Sequence, residues 1–386
     1  MRRSIRIVGT IIIILIILSL IEVMAYIESK YLVSYCIGFT PLTITDSYES
    51  YSRRYNPRLG WLSPQERVDT SGSRYIPAFM DPKQDRACVA LYGDSFTEGF
   101  GVDDEHAWSN VLSLLLHCRV ANYGVSGYGT DQAFLRFMDN RQAQARVVIL
   151  GFLSDNLMRN VNQLRNLISN TTSCALKPRF ILDEQGRLTL VPIPHLTKKQ
   201  FADLKDHPER VLRHEFFLPG GQSGYHKQKF PYTWGIIKSF PILFRNMVLH
   251  QGTYYILYQR GHSSKALEVT GAIMEKFCQE AQNRGQHPLV LIMPTHVDLA
   301  NYRRTGKWVY QPLLDLLAAK KIEFLDVGPG FYQYLGNDKL ETLYDPNTQY
   351  HLNEKGNWLL AKIVYDYLTQ KHIKVGDMEE TASRWE

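Results

Sequence analysis

The chain has 386 residues, 45% hydrophobic and 12% aromatic, which is enough apolar material for one large domain with insertions or for two smaller domains. Its net charge of +6 is small for this length, and it has no block of Lys and Arg interleaved with aromatic residues of the kind that follows a nucleic-acid backbone. This composition argues against intrinsic disorder and against nucleic acid as a partner.

The N-terminus has the charge and hydropathy pattern of a segment that enters a membrane. Three arginines within the first six residues precede an almost unbroken apolar run over residues 7–21. Positively charged residues in this position stay on the cytoplasmic side, so the chain that follows is expected to be exported. We predict that residues 1–27 form an uncleaved signal anchor, a single N-terminal transmembrane helix with the rest of the chain on the extracytoplasmic side.

Two alternatives to the anchor stay open. The run 7–21 is shorter than the ~20 residues that span a bilayer, although the apolar residues after Glu22 could complete a tilted span. Val23 and Ala25 also form a potential signal-peptidase site, which would make the segment a cleaved signal. The other alternative is a helix buried in a soluble core, and only this one removes the expectation of export.

The cysteines show no CxxC pair and no metal-ligand spacing, so no metal site is predicted. They are Cys36, Cys88, Cys118, Cys174 and Cys278. An odd number in an exported chain leaves at least one thiol unpaired within the monomer. Cys88 and Cys118 stand in apolar contexts, and we expect them to act as small buried hydrophobic residues.

The remainder of the chain is predicted to be an α/β domain that follows a linker. Residues 28–80, rich in Tyr, Ser, Arg and Pro, are predicted as a linker that docks on the domain. From Cys88 onward, short apolar runs alternate with helical segments, which is typical of a parallel sheet. The predicted order is strand CVALYG, helix 107–117, strand RVANYGVSG, helix 130–143 and strand RVVILGFL, then helix 265–284, strand PLVLIMPT, helix 309–320, strand IEFLDV and helix 354–370.

A large insertion interrupts this alternation. We predict a domain over residues 81–375 with an insertion at about 160–262, which contains a hairpin around 184–186 and forms a cap beside the site. Residues 376–386 are predicted to be a C-terminal tail.

The stretch VALYGDSFTEG, residues 89–99, places a serine directly after a strand. Ligands of an open parallel sheet bind beyond the carboxyl ends of its strands, so Ser95 lies where chemistry is expected. A lone serine in this position is more often a helix cap or a turn residue. A nucleophilic serine needs a base to take its proton and donors for the oxyanion that its attack creates.

Three further fragments supply such partners. NYGVSGYGTDQ carries Gly127 after a predicted strand, GFLSDN ends a strand at Asn156, and YDPNTQYHLNEKGN places His351 just before a helix. Each fragment alone is explained as well by a turn glycine, a helix cap or a surface histidine. Together, and in this order, they indicate a nucleophilic serine with its base and its oxyanion donors.

The blocks GDSFTEG, GVSGYGTDQ, GFLSDN and HLNEKGN resemble the four signature blocks of the SGNH, or GDSL-type, hydrolase superfamily, in the same order. The resemblance covers about residues 86–156 and 285–370. It implies a three-layer α/β/α, flavodoxin-like sandwich. It also implies ester hydrolysis or acyl transfer through a covalent acyl-enzyme, without a metal or organic cofactor.

The resemblance also implies a role for individual residues. Ser95 matches the nucleophile and His351 matches the base. Gly127 and Asn156, together with the Ser95 backbone N–H, match the donors of the oxyanion hole. Asp94 matches the aspartate of the GDS signature, and its expected role is to fix the turn.

Two departures from the family pattern bear on the site. The third block usually has Asn before Asp, whereas here Asp155 precedes Asn156, which puts the register of the donor in doubt. The fourth block usually has an acid three residues before the histidine, where this chain has Thr348. We predict that Asp345, six residues upstream, is the third catalytic residue. The alternative is a Ser–His dyad in which a backbone carbonyl orients His351.

We therefore expect an exported, membrane-anchored serine esterase that acts on an O-acylated small molecule or glycan, such as the O-acetyl groups of an envelope polysaccharide. The alternatives are an O-acyltransferase that passes the acyl group to a sugar hydroxyl, an inactive glycan-binding or assembly protein, and a lipase. The lipase alternative depends on aromatic residues of the insertion, which more often form the insertion's own core: Phe201, Phe216, Phe217, Trp234, Phe240 and Phe244.

Overall fold

The computed structural model describes residues 2–29, 44–83, 85–169, 171–223, 229–247 and 254–375, so the predicted tail and Cys36 lie outside the described residues. The α-helices are α1 (Arg2–Glu28), α2 (Tyr48–Arg54), α3 (Ser95–Glu98), α4 (Trp108–Leu116), α5 (Thr130–Asp139), α6 (Asn156–Asn160), α7 (Lys198–Asp206), α8 (Tyr232–Met247), α9 (Ala266–Asn283), α10 (His296–Thr305), α11 (Gln311–Ala319), α12 (Gly328–Leu335) and α13 (Glu354–Gln370). The strands are β1 (Ala87–Tyr92), β2 (Arg119–Asn122), β3 (Val147–Leu153), β4 (Arg179–Leu182), β5 (Leu188–Val191), β6 (His287–Met293), β7 (Phe324–Asp326), β8 (Tyr344–Asp345) and β9 (His351–Leu352).

Five of these strands form a parallel sheet in the order β2-β1-β3-β6-β7. The first strand lies inside the sheet, with β2 on one side and β3 on the other, so the chain winds outward in both directions from β1. This strand order is that of the flavodoxin-like doubly wound sheets. The carboxyl ends of β1 and β3 are therefore neighbours, and loops that follow them meet at one edge of the sheet.

Helices cover both faces of the sheet, as the strand sequences require. β1, β3 and β6 are buried along nearly their whole length, which is why each is a continuous apolar run. Val89 and Leu91 face a core that includes Trp108 of α4 and Leu360 of α13. On the opposite face, the Tyr92 ring lies 5.4 Å from Phe137 of α5. The predicted three-layer α/β/α sandwich is confirmed.

The chain divides into two compact units. The unit that holds the sheet comprises residues 54–161, 177–193 and the chain from 257 onward. The predicted hairpin, β4 and β5, belongs to this unit, and so does the segment 54–80 of the predicted linker. Most of the predicted insertion, residues 162–176 and 194–256, groups with the N-terminal residues up to position 53.

The second unit has a small aromatic core of its own. Phe201, Phe216 and Phe217 are buried, and the Phe201 ring stacks on Tyr51 of α2 at 5.2 Å. The buried carboxylate of Glu215 accepts hydrogen bonds from the backbone N–H groups of residues 163, 164 and 217. Three of the aromatic residues considered for an acyl groove therefore form a core, whereas the others, Trp234, Phe240 and Phe244, are exposed on α8.

The structure corrects the prediction for two cysteines. Cys88 and Cys118 form a disulfide with their Cα atoms 6.1 Å apart. Cys88 lies in β1, and Cys118 directly precedes β2, which pairs with β1. The two cysteines are 30 residues apart in the chain, and the pairing of β1 with β2 brings their sulfurs together. The sequence around each cysteine does not indicate this pairing. Cys278 is a buried thiol.

Helix α1 is long and apolar enough to cross a membrane. Within its segment Arg6–Glu28, the most apolar stretch of 18 residues has a mean hydropathy of 2.9 and is not buried in the described structure. A membrane anchor and a signal sequence both have these properties.

Candidate active site

A sharp turn places Ser95 at the carboxyl end of β1. The strand ends at Tyr92, and Ser95 is the first residue of α3. The buried carboxylate of Asp94 accepts the backbone N–H of Phe96 at 2.9 Å and thereby caps this helix. A Cβ atom at position 93 would collide with the Thr97 side chain, so glycine is required between strand and helix. Asp94 thus has the turn-fixing contacts expected of it.

The His351 imidazole lies against Ser95. Its Nε2 atom is 2.8 Å from Ser95 Oγ, and its Nδ1 atom donates to the backbone oxygen of Thr348. A carbonyl oxygen only accepts hydrogen bonds, so Nδ1 carries the hydrogen and Nε2 presents its lone pair to the serine hydroxyl. The rings of Phe96 and Phe100 each lie 4.9 Å from the imidazole and fix its plane.

Two unusual backbone conformations bring the Thr348 oxygen to the imidazole. Gln349 and Tyr350 have φ values of 56° and 59°, in the left-handed region that residues other than glycine seldom adopt. The Tyr350 ring stacks on His296 with ring centroids 3.9 Å apart, which holds the second of these residues in place. Burial lowers the pKa of His296, which favours the uncharged form of this ring. The turn between Thr348 and His351 is therefore held by ring contacts, with His296 against Tyr350 and with Phe96 and Phe100 against His351.

The structure does not bring Asp345 to His351 Nδ1, where we predicted it. The Asp345 carboxylate accepts the backbone N–H of Asn347 at 2.9 Å and its Nδ2 at 3.0 Å. These bonds cap the short turn Pro346–Thr348 and direct the carboxylate away from the imidazole, although Asp345 and His351 are backbone partners in the β8–β9 ladder. The described contacts fit the alternative arrangement, a dyad oriented by a carbonyl.

The predicted oxyanion donors lie after the neighbouring strands. Asn156 follows β3, is 1% exposed, and makes no side-chain hydrogen bond of normal geometry to any described residue. It lies near enough to Asp94 to favour the charged form of that carboxyl group. Gly127 follows β2 and has a φ of 83°, which a residue with a side chain seldom adopts. A buried amide left unbonded costs about 1–3 kcal/mol, so a ligand that accepts from Asn156 would recover this cost.

Arg159 bonds to residues of the first three signature blocks. The sequence analysis did not single out this residue. Its guanidinium donates to Asp94 at 3.1 Å, to the Tyr128 backbone oxygen at 3.0 Å and to Asp155 at 3.3 Å. These partners stand next to the nucleophile, next to Gly127 and next to Asn156. Burial raises the pKa of Asp94, and the positive charge of Arg159 opposes that shift. The spacing of four residues from Asp155 is the only sequence signal that pointed to Arg159.

The loop that carries Gly127 also bonds to Trp61, which belongs to the segment predicted to be a linker. Trp61 Nε1 donates to the Ser126 backbone oxygen at 3.0 Å, and the Tyr128 hydroxyl donates to the Trp61 oxygen at 2.6 Å. The Ser126 hydroxyl donates to the buried carboxylate of Glu98 at 2.5 Å. Residues on both sides of Gly127 are therefore fixed, which suits a backbone donor that must not move during a reaction.

Comparisons with known proteins find similarity in solved structures. No family model matches the sequence, and no curated protein matches it. A catalytic mutant of an acetylxylan esterase from Geobacillus stearothermophilus is 12% identical, covering 75% of this chain and 95% of its own, with a TM-score of 0.37. A member of the lipolytic G-D-S-L family from Veillonella parvula DSM 2008 is 11% identical, covering 73% of this chain and 98% of its own, with a TM-score of 0.34. At these identities and TM-scores, neither similarity establishes an activity for this chain.

Proposed function

We infer that this chain is a member of the SGNH superfamily, and we propose that it is a serine-dependent ester hydrolase that works through an acyl-enzyme. The observation that carries this proposal is the 2.8 Å approach of His351 Nε2 to Ser95 Oγ, with the Nδ1 hydrogen held by a carbonyl oxygen. The buried amide of Asn156 supports it, because this donor makes no hydrogen bond of normal geometry to any described residue and can therefore serve a developing oxyanion.

In the first half of the proposed reaction, Ser95 Oγ forms a bond to the carbonyl carbon of the ester while His351 Nε2 takes the hydroxyl proton. The carbonyl oxygen becomes an oxyanion that accepts from Asn156 Nδ2 and from the backbone N–H groups of Ser95 and Gly127. The bond from carbon to the alcohol oxygen then breaks, and the imidazolium returns its proton to that oxygen. The alcohol leaves, and the acyl group stays on Ser95.

In the second half of the proposed reaction, water or a sugar hydroxyl enters the site that the alcohol has left and attacks the acyl group on Ser95. His351 removes its proton, the new oxygen bonds to the acyl carbon, and the bond to Ser95 Oγ breaks as the imidazolium returns the proton to Ser95. Water as the second reactant gives hydrolysis. A sugar hydroxyl gives the alternative, an O-acyltransferase, with the same residues in the same roles.

We propose an O-acylated glycan or small molecule outside the cytoplasm as the substrate. The arginines before α1 favour export of the rest of the chain. The disulfide between Cys88 and Cys118 also supports export, since such bonds persist in oxidising compartments and are rare in the cytosol. Acetyl is the acyl group that we expect, on the basis of the family resemblance.

The test uses the full chain in detergent solution, with p-nitrophenyl acetate and then an acetylated glycan as substrates. We expect Ser95→Ala to lower turnover by about 10³-fold or more, because only the oxyanion donors and binding remain. Acetate release without transfer to an added glycan supports the esterase, whereas transfer in excess of release supports the acyltransferase. Ser52→Ala, which changes an exposed serine of α2, is the matched control and should keep full activity.

Turnover of Ser95→Ala within tenfold of the unchanged chain would refute the covalent mechanism. A fluorophosphonate probe gives an independent result, because it labels a serine activated by a neighbouring base. If the unchanged chain neither turns over these substrates nor reacts with the probe, the inactive glycan-binding protein becomes the better interpretation.

A further inference from the structure

Helix α8 exposes four large apolar side chains, whereas two of its buried positions carry small residues. Trp234, Ile237, Phe240 and Phe244 are 56%, 56%, 61% and 45% exposed. Its buried positions include Gly235 and Ser239, which are four residues apart and lie on the same side of the helix, together with Ile242.

This arrangement is the reverse of an amphipathic helix on the surface of a water-soluble protein, which turns its apolar side chains inward. It is the arrangement of helices that pack within a lipid environment. There, small residues four apart allow close helix contact, and large apolar residues face the acyl chains.

The start of α8 is bonded to α1. The Glu22 carboxylate accepts the backbone N–H of Tyr232 and, at 3.2 and 2.6 Å, the backbone N–H and the hydroxyl of Thr233. The Tyr26 ring packs edge-on against the Tyr232 ring at 5.0 Å. The N-terminal end of α8 is therefore held against α1 between Glu22 and Tyr26.

The position of Glu22 along α1 gives the depth at which α8 begins. Glu22 is 16 residues after Arg6, about 24 Å along a helix, whereas the hydrocarbon layer is about 30 Å thick. With Arg6 at the cytoplasmic surface, Glu22 reaches the outer part of the hydrocarbon layer, and Tyr26, one turn further, reaches its outer boundary. A carboxylate at that depth needs hydrogen-bond donors, and the first residues of α8 supply them.

The charges and aromatic residues of α8 also fit the outer boundary. Its sequence contains Lys238 and Arg245 and no acidic residue, so it is attracted to anionic lipid headgroups. Lys238 Nζ lies 5.2 Å from the Trp234 ring, where its stem covers apolar surface and its charge can reach the headgroups. Trp and Tyr are enriched at membrane boundaries for the same reason. The described part of this helix, Tyr232–Met247, is 16 residues or about 24 Å long, which is too short to span the bilayer.

We propose that α8 is a second membrane-contacting element, which lies in the outer boundary of the bilayer beside α1 and places Trp234, Ile237, Phe240 and Phe244 among the lipids. The occupant of this surface is a lipid bilayer that contains anionic headgroups. The inference rests on the prediction that α1 is an uncleaved membrane anchor and on the export that the proposed function requires.

The test uses the full chain reconstituted into vesicles of phosphatidylcholine and phosphatidylglycerol, with and without brominated acyl chains, which quench tryptophan emission on contact. The difference between the unchanged chain and Trp234→Phe gives the emission of Trp234. Trp358 of α13 is the matched control, because it is similarly exposed, at 46%, on a helix without the features of α8. A second reporter, Ile237→Trp in the Trp234→Phe chain, tests the next exposed position.

We expect the emission of Trp234, and that of the reporter introduced by Ile237→Trp, to be shifted to the blue and mostly lost with brominated lipid, while the Trp358 emission is unchanged. Vesicle-bound protein whose α8 reporters are not quenched would refute the inference and leave the anchor standing. Quenching of Trp358 to the same extent would also refute it, because the effect would not belong to α8. Protein that does not float with the vesicles would refute both the anchor and the inference.

Discussion

At the scale of single residues, the orientation of His351 depends on the backbone and not on a carboxylate. The oxygen that accepts from Nδ1 belongs to Thr348, at the position where the family pattern has an acid. A neutral acceptor fixes the tautomer as well as a carboxylate does, but it stabilises the imidazolium less during attack. The proposed enzyme therefore depends more heavily on its oxyanion donors than a full triad would.

Asp345→Asn tests this difference directly. The Asp345 carboxylate bonds to Asn347 and not to His351, so we expect kcat to fall by less than about tenfold. When an amide replaces the carboxylate of a full triad, the loss of kcat is about 10⁴-fold. Ester hydrolysis over a range of substrate concentrations measures kcat, and thermal unfolding shows whether the turn is weakened. A loss of 10²-fold or more with unchanged stability would restore Asp345 as the third catalytic residue.

Asn156→Ala removes the buried amide that has no hydrogen-bond partner in the described residues. We expect kcat to fall by about 10²- to 10³-fold with little change in KM, because the lost bond forms only as the oxyanion develops. The matched control is Asp155→Asn, which changes the neighbouring side chain that bonds to Arg159. If the control loses more activity than Asn156→Ala, the donor is not Asn156, and the third block is read in the wrong register.

At the scale of secondary-structure elements, a buried ion pair joins three segments beneath the site. Lys177 precedes β4, and Asp131 lies in α5; both side chains are fully buried, and Nζ lies 2.5 Å from the carboxylate. Lys177 also donates to the backbone oxygen of Arg159 in α6 at 2.9 Å. The helix that carries Arg159 and begins at Asn156 is thereby fixed to its neighbours.

Lys177→Met leaves the Asp131 charge buried without its partner. We expect the unfolding free energy to fall by about 3–5 kcal/mol, the range for a buried pair with one member removed. Chemical denaturation in detergent measures the loss. The double variant Lys177→Met/Asp131→Asn should recover part of it, since no charge then remains; equal stability of the single variant and the unchanged chain would contradict this role.

The sequence predicted the buried strands of the sheet better than some of its helices. Strands β1, β3 and β6 have nearly the predicted bounds, because a strand buried on both faces is a continuous apolar run. Helices α10 and α12 were not predicted: the first is mostly polar, and the second begins with Gly, Pro and Gly. The sequence could predict that Ser95 and His351 lie together, because each stands in a recognisable block next to a strand or helix.

Other contacts, in the site and in the sheet, cannot be recognised from the sequence around the residues that make them. A backbone oxygen such as that of Thr348 can belong to any residue type, so the sequence cannot mark it as the acceptor. The contacts of Arg159 and the disulfide between Cys88 and Cys118 arise from strands and helices that meet only in the folded chain.

At the scale of the whole molecule, the orientation across the membrane decides which substrates the chain can reach. Alkaline phosphatase fused after residue 386 should be active in a bacterial host, because arginines that precede an apolar helix favour a cytoplasmic N-terminus. The same fusion without residues 2–28 should be inactive and serves as the control. An inactive reporter on the full chain would remove the reason for proposing an envelope substrate.

The contact between Glu22 and the start of α8 also bears on how the protein can be handled in solution. Deleting α1 removes the acceptor for Tyr232 and Thr233 and leaves the apolar side chains of α8 facing water, a surface on which copies of the shortened chain would self-associate. A secretable form therefore calls for polar replacements at positions 234, 237, 240 and 244 as well as removal of the N-terminal helix.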